Sequence, residues 1–224
     1  MAVAFFAEWD RLASEWFEGI RSGPLTATFV FLSAWWVKSL LIAAVGGVGD
    51  IRARRRLPTC TTAAAVAVLL AGMGSGLLKE LFERARPPLA DASVSAAVSL
   101  PEGYSFPSGH ATTAFAAAAA VSAFHPRLRL PLFGLAALVA LSRVYLGVHF
   151  TTDVLVGAVL GTTIGLASAA LTRRVVPRLR AARSAAREVA PRPIGGTSAA
   201  DNGSAGLETA LGGGRRRRPG PELT

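Results

Sequence analysis

The chain has 224 residues, of which 51% are hydrophobic and only 17% charged, with a mean hydropathy of +0.42. Soluble domains carry about 25% charged residues, so an ordinary soluble enzyme and whole-chain disorder are both excluded, and the single cysteine, Cys60, excludes a disulfide scaffold. The net charge of +10 sits mostly in the tail, where residues 173–224 hold 11 arginines against Glu188, Asp201, Glu208 and Glu222, leaving a nearly neutral, membrane-like body.

Residues 1–23 come first. Phe5, Phe6, Trp9, Leu12, Trp16, Phe17 and Ile20 recur at roughly helical spacing among Glu8, Asp10, Arg11, Glu15, Glu18 and Arg21. That pattern predicts an amphipathic helix in the membrane interface, without the basic start of a cleaved signal peptide. Five apolar runs near the length of a bilayer span follow, at 25–48, 59–78, 111–124, 130–148 and 154–171. The predicted fold is all-α: a polytopic membrane helix bundle of about five transmembrane helices, at residues 24–172, behind the N-terminal amphipathic helix. Residues 173–224 form a basic tail whose Pro-, Gly- and Ser-rich end predicts disorder, and whose first arginines suit anionic lipid headgroups rather than nucleic acid.

Charge in the loops sets the orientation. Arg52, Arg54, Arg55 and Arg56, then Arg127 and Arg129, then the tail all fall on one side of a five-span protein, which is the cytoplasm. The N-terminal helix and the loops 79–107 and 143–153 fall outside. Lys38 in the first span has no evident role, and Trp35 and Trp36 sit too deep for an aromatic belt. Gly157, Gly161 and Gly165 form a small-residue face on the fifth span, read as packing within the chain, with a homodimer contact as second reading.

Three polar clusters interrupt the apolar chain, all at outer span ends, where ionisable groups are costly and functional by default. Lys79 and Arg86 lie seven residues apart before Pro87, so a helix through them presents two cations on one face. Such a pair suits a phosphate, and equally a snorkelling basic rim. Pro107, Ser108, Gly109 and His110 directly precede the third span, where a helix N-terminus offers free N–H groups to an anion or Ser108 serves as an ordinary cap. Ser142 and Arg143 precede His149 and Asp153, whose spacing of four places them on one helical face. Asp153 is then able to orient the His149 imidazole, and Arg143 adds a bidentate phosphate ligand, although a plain surface His–Asp pair has the same spacing.

Taken together and in this order, K-x6-RP, PSGH and SR-x5-H-x3-D resemble the three signature motifs of the type 2 phosphatidic acid phosphatase superfamily, matched here over residues 79–153 without a departure. The resemblance implies that His149 is the nucleophile of a phosphohistidine intermediate, that Asp153 holds it, and that His110 protonates the leaving group and then activates water. It also implies that Lys79, Arg86, Ser108, Gly109 and Arg143 bind the phosphoryl oxygens. Phosphoryl transfer is chiefly positioning and charge stabilisation, which three cations and a helix N-terminus supply without a metal or other cofactor.

The expected activity is a membrane lipid phosphatase acting on phosphatidic acid or a related lipid phosphate, at the outer face of the cell membrane. Within the same chemistry, the alternative is an undecaprenyl- or polyprenyl-diphosphate phosphatase that recycles a cell-wall carrier. From a different class, a catalytically silent lipid-binding or transport protein would keep the pocket but not the intact histidines.

Overall fold

The computed structural model describes residues 2–34, 47–48, 50–51 and 59–189. Trp35, Trp36, Lys38, the arginines at 52–56 and the tail beyond 189 lie outside the described residues. The chain divides into a unit at Met1–Ser184, which holds everything discussed below, and a second at Ala185–Thr224. Among the described residues the elements are α1 (Ala2–Gly19), α2 (Gly23–Ser33), α3 (Thr59–Phe82), the single turn α4 (Pro87–Ala90), α5 (Gly109–Phe124), α6 (Arg129–Tyr145) and α7 (Thr151–Val189). A 3-10 turn at Pro126–Leu128 joins α5 to α6.

Three stretches are long and apolar enough to cross a bilayer: Thr59–Ala90, Pro126–Tyr145 and Thr151–Ala182. They match the second, fourth and fifth expected spans. The third expected span is α5, whose 16 residues reach about 24 Å, short of the roughly 30 Å hydrocarbon core. Its surroundings explain how it tolerates this: ten of its residues are buried, so other helices rather than lipid surround it. The first expected span is seen only as far as α2, which starts with Pro24 in its first turn. The last helix does not end near Leu171 but continues through Pro177 to Val189. A proline inside a helix costs about 3 kcal/mol, and the hydrogen-bond ladder resumes beyond it.

Small residues let the helices approach α5 closely. Along α3, Cys60, Ala64, Ala67 and Ala71 recur at helical spacing and pack against Ala116, Ala120 and Val121 of α5. Buried Ser75 continues that stripe. On another side, Ala136 and Val139 of α6 pack against Ala114 and Ala118. The glycine face of α7 meets α5 as well. A Cβ at Gly157 would lie 2.9 Å from the Ser108 carbonyl, one at Gly165 would lie 2.8 Å from Ala119 Cβ, and one at Gly161 would overlap the Thr112 carbonyl. The face expected to pack within the chain does so.

Helix α1 is amphipathic as expected, with Phe6, Trp9, Leu12, Trp16 and Ile20 exposed. One acid departs from its expected polar face, since Asp10 is only 2% exposed and Ser14 beside it is buried. The inward stripe is Asp10, Ser14, Phe17 and Arg21. Phe17 packs edge-on to Tyr145 at 6.4 Å, and Arg21 Nε donates to the Tyr145 carbonyl at 3.1 Å. The Tyr145 hydroxyl accepts from the Ser22 amide at 3.1 Å, so the α1–α2 corner is fastened to the end of α6.

Candidate active site

One end of the bundle gathers the C-termini of α3 and α6 and the N-termini of α5 and α7. The chain is held there by its own backbone: the Ser108 amide donates to the Asp153 carbonyl at 3.1 Å, joining the start of α5 to the start of α7. Gly147 turns the chain with a φ of +70°, and a Cβ there would overlap the Ser95 carbonyl. Only glycine suits that turn.

Lys79 and Arg86 were expected on one helical face, and this is corrected by the structure. Helix α3 stops at Phe82, Glu83 takes a positive φ of 46°, and Arg86 lies in extended backbone at ψ 158°. Pro87 accounts for it, because its ring clashes with a helical conformation at the residue before. The two cations bond neighbouring carbonyls of one loop, Glu102 to Tyr104, instead. Lys79 Nζ donates to the Tyr104 carbonyl, while Arg86 donates to the carbonyls of Gly103 at 3.1 Å and Glu102 at 3.2 Å. Arg86 is 3% exposed, which rules out a snorkelling rim residue. Lys79 extends the buried stripe of α3 by one turn beyond Ser75, and it too is half-buried.

Ser108 occupies the N-cap position of α5 but makes no capping hydrogen bond through its side chain. Its hydroxyl is buried and without a partner, so ordinary capping does not explain it. Gly109 begins α5, where a Cβ would lie 3.5 Å from Ser75 Oγ. His110 follows in the first turn, half-buried. Arg143, in the last turn of α6, is 5% exposed and its Nε is a second buried polar atom with no partner. With Thr151 Oγ1 at the start of α7 they make three such atoms at this end of the bundle among the described residues, which is unusual, since the large majority of buried side-chain polar atoms have a partner. Ser142, by contrast, donates to the Val139 carbonyl at 2.6 Å and is accounted for within α6.

His149 and Asp153 were expected to share a helical face, and this too needs correction. His149 lies before α7, which begins at Thr151. The pair still meets, with Nδ1 and Oδ2 3.5 Å apart, because Asp153 turns back over the helix start. Its Oδ2 accepts the Phe150 amide at 2.9 Å, the geometry of an acid three residues into a helix reaching back to the cap. The opposite ring nitrogen, Nε2, lies 3.5 Å from Arg86 Nη1. Burial is the main reason that His149 titrates far below an ordinary histidine, at about 4; Asp153 opposes this shift, while Arg86 and Lys79 add to it. The ring is therefore neutral at physiological pH.

Four residues of this network were not singled out in the sequence. Ser105 donates to Asp153 Oδ2 and lies 3.4 Å from His149 Nδ1. Arg84 donates to Asp153 Oδ1 at 2.6 Å, to Thr152 Oγ1 at 2.7 Å and to Asp10 Oδ2 at 2.7 Å. Its guanidinium stacks 4.1 Å from the centre of the Phe150 ring. Asp10 in turn accepts the Thr152 amide at 2.9 Å. The recurrence of Asp10, Ser14, Phe17 and Arg21 at helical spacing was the available signal, since it marks an inward stripe with an acid in it. Among the described residues, no group of three or more His, Cys, Asp or Glu side chains is placed to hold a metal ion.

The architecture and the sequence both have relatives. Decaprenylphosphoryl-5-phosphoribose phosphatase of Mycobacterium tuberculosis is 39% identical over 126 residues, spanning 56% of this chain and 67% of that protein. The transmembrane PAP2 type phosphatidylglycerolphosphate phosphatase from Bacillus subtilis superposes with a TM-score of 0.61 at 26% identity, covering 74% of this chain and 85% of its own. LpxE of Aquifex aeolicus superposes at 0.58 with 27% identity, covering 73% and 94%. The PAP2 superfamily pattern matches residues 61–177, more than half of the chain and all three motifs. This multi-pass membrane protein belongs to the PAP2 superfamily and is a phosphatase that hydrolyses phosphate esters.

Proposed function

We propose that the chain is an integral membrane lipid phosphatase that cleaves a lipid phosphate monoester or diphosphate through a phosphohistidine at His149. The Nε2 lone pair attacks phosphorus, the bond from phosphorus to the lipid oxygen breaks, and His110 gives its proton to the leaving oxygen. His110 then takes a proton from water, whose oxygen attacks phosphorus. The P–N bond breaks and inorganic phosphate leaves. Asp153 holds the imidazole through Nδ1 and stabilises its positive charge. Lys79, Arg86, Arg143, the Ser108 hydroxyl and the Gly109 amide receive the phosphoryl oxygens, where a network of fixed donors is worth most.

The single observation that carries this reading is the pair of buried, partnerless donors, Ser108 Oγ and Arg143 Nε. The Ser108 amide is bonded to the Asp153 carbonyl, and Arg143 lies six residues before His149. A phosphoryl group is the ligand that satisfies both. Burial of His149 supports the nucleophile role, because a protonated imidazole has no lone pair to attack with.

Two lipid classes fit this chemistry: phosphatidic acid or a related phospholipid, and a polyprenyl phosphate or diphosphate. The second gains support from the mycobacterial relative, whose name places its activity on a decaprenyl-linked phosphate. The site faces the outside of the cell membrane in this reading. Exposed Arg127 and Arg129 lie at the end of the bundle away from the site, as cytoplasmic basic residues do. Phosphate release from phosphatidic acid, phosphatidylglycerol phosphate, polyprenyl diphosphates and glucose 6-phosphate, compared in one micelle system, tests the proposal. Turnover of at least one lipid in strong preference to the sugar phosphate supports it, and preference for the sugar phosphate contradicts it.

A further inference from the structure

Asp10 belongs to the N-terminal helix, 69 residues before the first motif begins, yet it is among the most buried charged groups in the chain. Its two oxygens are committed. Oδ1 accepts the Thr152 amide at 2.9 Å, while Oδ2 accepts the Thr152 hydroxyl at 2.5 Å and Arg84 Nη2 at 2.7 Å. Arg84 spends its other terminal nitrogen on Asp153 Oδ1 at 2.6 Å. Asp153 faces His149 with the remaining oxygen. The result is a continuous chain of carboxylate, guanidinium, carboxylate and imidazole running from α1 to the reacting ring.

We propose that Asp10 and Arg84 are positioning residues for the phosphatase reaction, holding the Asp153 carboxylate in the orientation that presents His149, so that α1 is part of the catalytic apparatus. This rests on the reading that His149 and Asp153 carry the chemistry.

Three physical points support it. A lone carboxylate packed inside a helix corner is costly, and a pair of carboxylates needs a cation between them; Arg84 is that cation. A guanidinium is planar and forked, so bonding it to two fixed acids and stacking it on Phe150 leaves it no other orientation. The Asp153 oxygen it takes is the one that His149 does not use, so the carboxylate cannot rotate without breaking an ion pair. A purely structural pair would have no reason to end on the catalytic acid. An apolar cavity of about 450 Å³ lies beside this chain of contacts, lined by Phe6, Ala7, Asp10, Arg84, Leu155 and Val156 among others, so α1 also borders free volume next to the site.

The test uses the full-length protein in detergent micelles with Asp10→Asn, Arg84→Gln and the double variant, all close in shape to the originals. Each single variant lowers kcat by about 10- to 100-fold, the usual effect of losing a residue that orients a catalytic ligand, with KM little changed. Competitive inhibition by inorganic phosphate, a tetrahedral ground-state ligand, stays within about threefold of wild type, because Lys79, Arg86, Ser108 and Arg143 are untouched and ground-state binding of the phosphoryl group is separable from turnover. The double variant loses no more than the worse single variant, as residues of one relay do. The pH profile adds a readout that mere packing would not move. His149 is faced by Asp153 and Ser105 on one side and by Arg86 and Lys79 on the other. Arg84→Gln leaves Asp153 unshared and moves the acid limb of kcat/KM to higher pH, whereas Asp10→Asn does not raise it.

If Asp10→Asn turns over at the wild-type kcat while His149→Ala is inactive, the relay is wrong and the reading of the site stands. If Asp10→Asn loses affinity for inorganic phosphate together with activity, α1 is only a structural prop and the proposal is overturned. If His149→Ala itself retains turnover, the underlying reading falls, and the relay with it.

Discussion

At the end of the bundle where α3 stops and α5 begins, Arg84, Arg86 and Arg143 turn inward among carbonyls, carboxylates and the imidazole of His149. At the other end, Arg127, Arg129, Arg174 and Arg178 stand exposed. The residue type is the same and its physical task differs. An inward arginine in a membrane protein must have each of its donors answered, and where one is left over, as at Arg143 Nε, a ligand is the natural partner. An exposed arginine at the far end needs only water and headgroups, and its information concerns orientation rather than chemistry. Burial separates the two sets.

Substitution at both ends breaks or sharpens this contrast. Arg86→Ala and Arg143→Ala each remove a fixed cation facing the phosphoryl group, and each is expected to lower kcat by about 10²–10³-fold, the range for loss of one donor to a developing oxyanion. Arg127→Ala and Arg129→Ala, assayed in the same micelles, should stay within about twofold of wild type, since exposed charges contribute little. Similar losses at the two ends would remove the contrast.

A smaller effect is expected from packing. Gly161→Ala pushes a methyl group into the Thr112 carbonyl of α5, and overpacking of this kind costs about 1–3 kcal/mol. Gly72→Ala, on the same type of helix but with nothing within 4 Å of the added carbon, should not destabilise. Thermal unfolding in detergent distinguishes the two. Equal midpoints for both variants would mean that α7 does not seat on α5 as described.

The smallest effect is a limb that stays put. Burial lowers the His149 pKa from 6.5 to about 4, so the ring keeps its lone pair as the pH drops through 6.5. kcat/KM should therefore remain level there and decline only on approaching about pH 4 to 5. A decline centred near 6.5 would show an ordinary, solvated imidazole.

Much of this was legible in the sequence, for reasons that differ by residue. The spans at 59–78, 130–148 and 154–171 are long apolar runs, and hydrophobicity alone finds them. Ser108, Gly109, His110, Arg143, His149 and Asp153 were found because polar residues at span ends are few. The helical geometry assumed for two motifs was wrong, however. Local spacing put Lys79 with Arg86 and His149 with Asp153 on helices, while Pro87 unwinds the first stretch and α7 starts only after His149. The pairs meet through tertiary contacts that spacing does not encode. Burial, not the neighbouring cations alone, keeps His149 neutral, and burial is a property of the assembled bundle. Asp10 and Arg84 lay hidden for a related reason: each looks like an ordinary charge on an amphipathic or loop segment until α1 is docked.

The central claim is that phosphate passes through His149. Rapid acid-free quenching of the enzyme during turnover of a lipid phosphate labelled at phosphorus, followed by peptide mapping, tests this directly. The account predicts label on the peptide containing His149, stable in base and lost in acid, and absent from His149→Ala; with an aryl phosphate whose leaving group needs no proton, the label accumulates in His110→Ala, where water is no longer activated. Label on another residue, or its persistence in His149→Ala, would contradict the account.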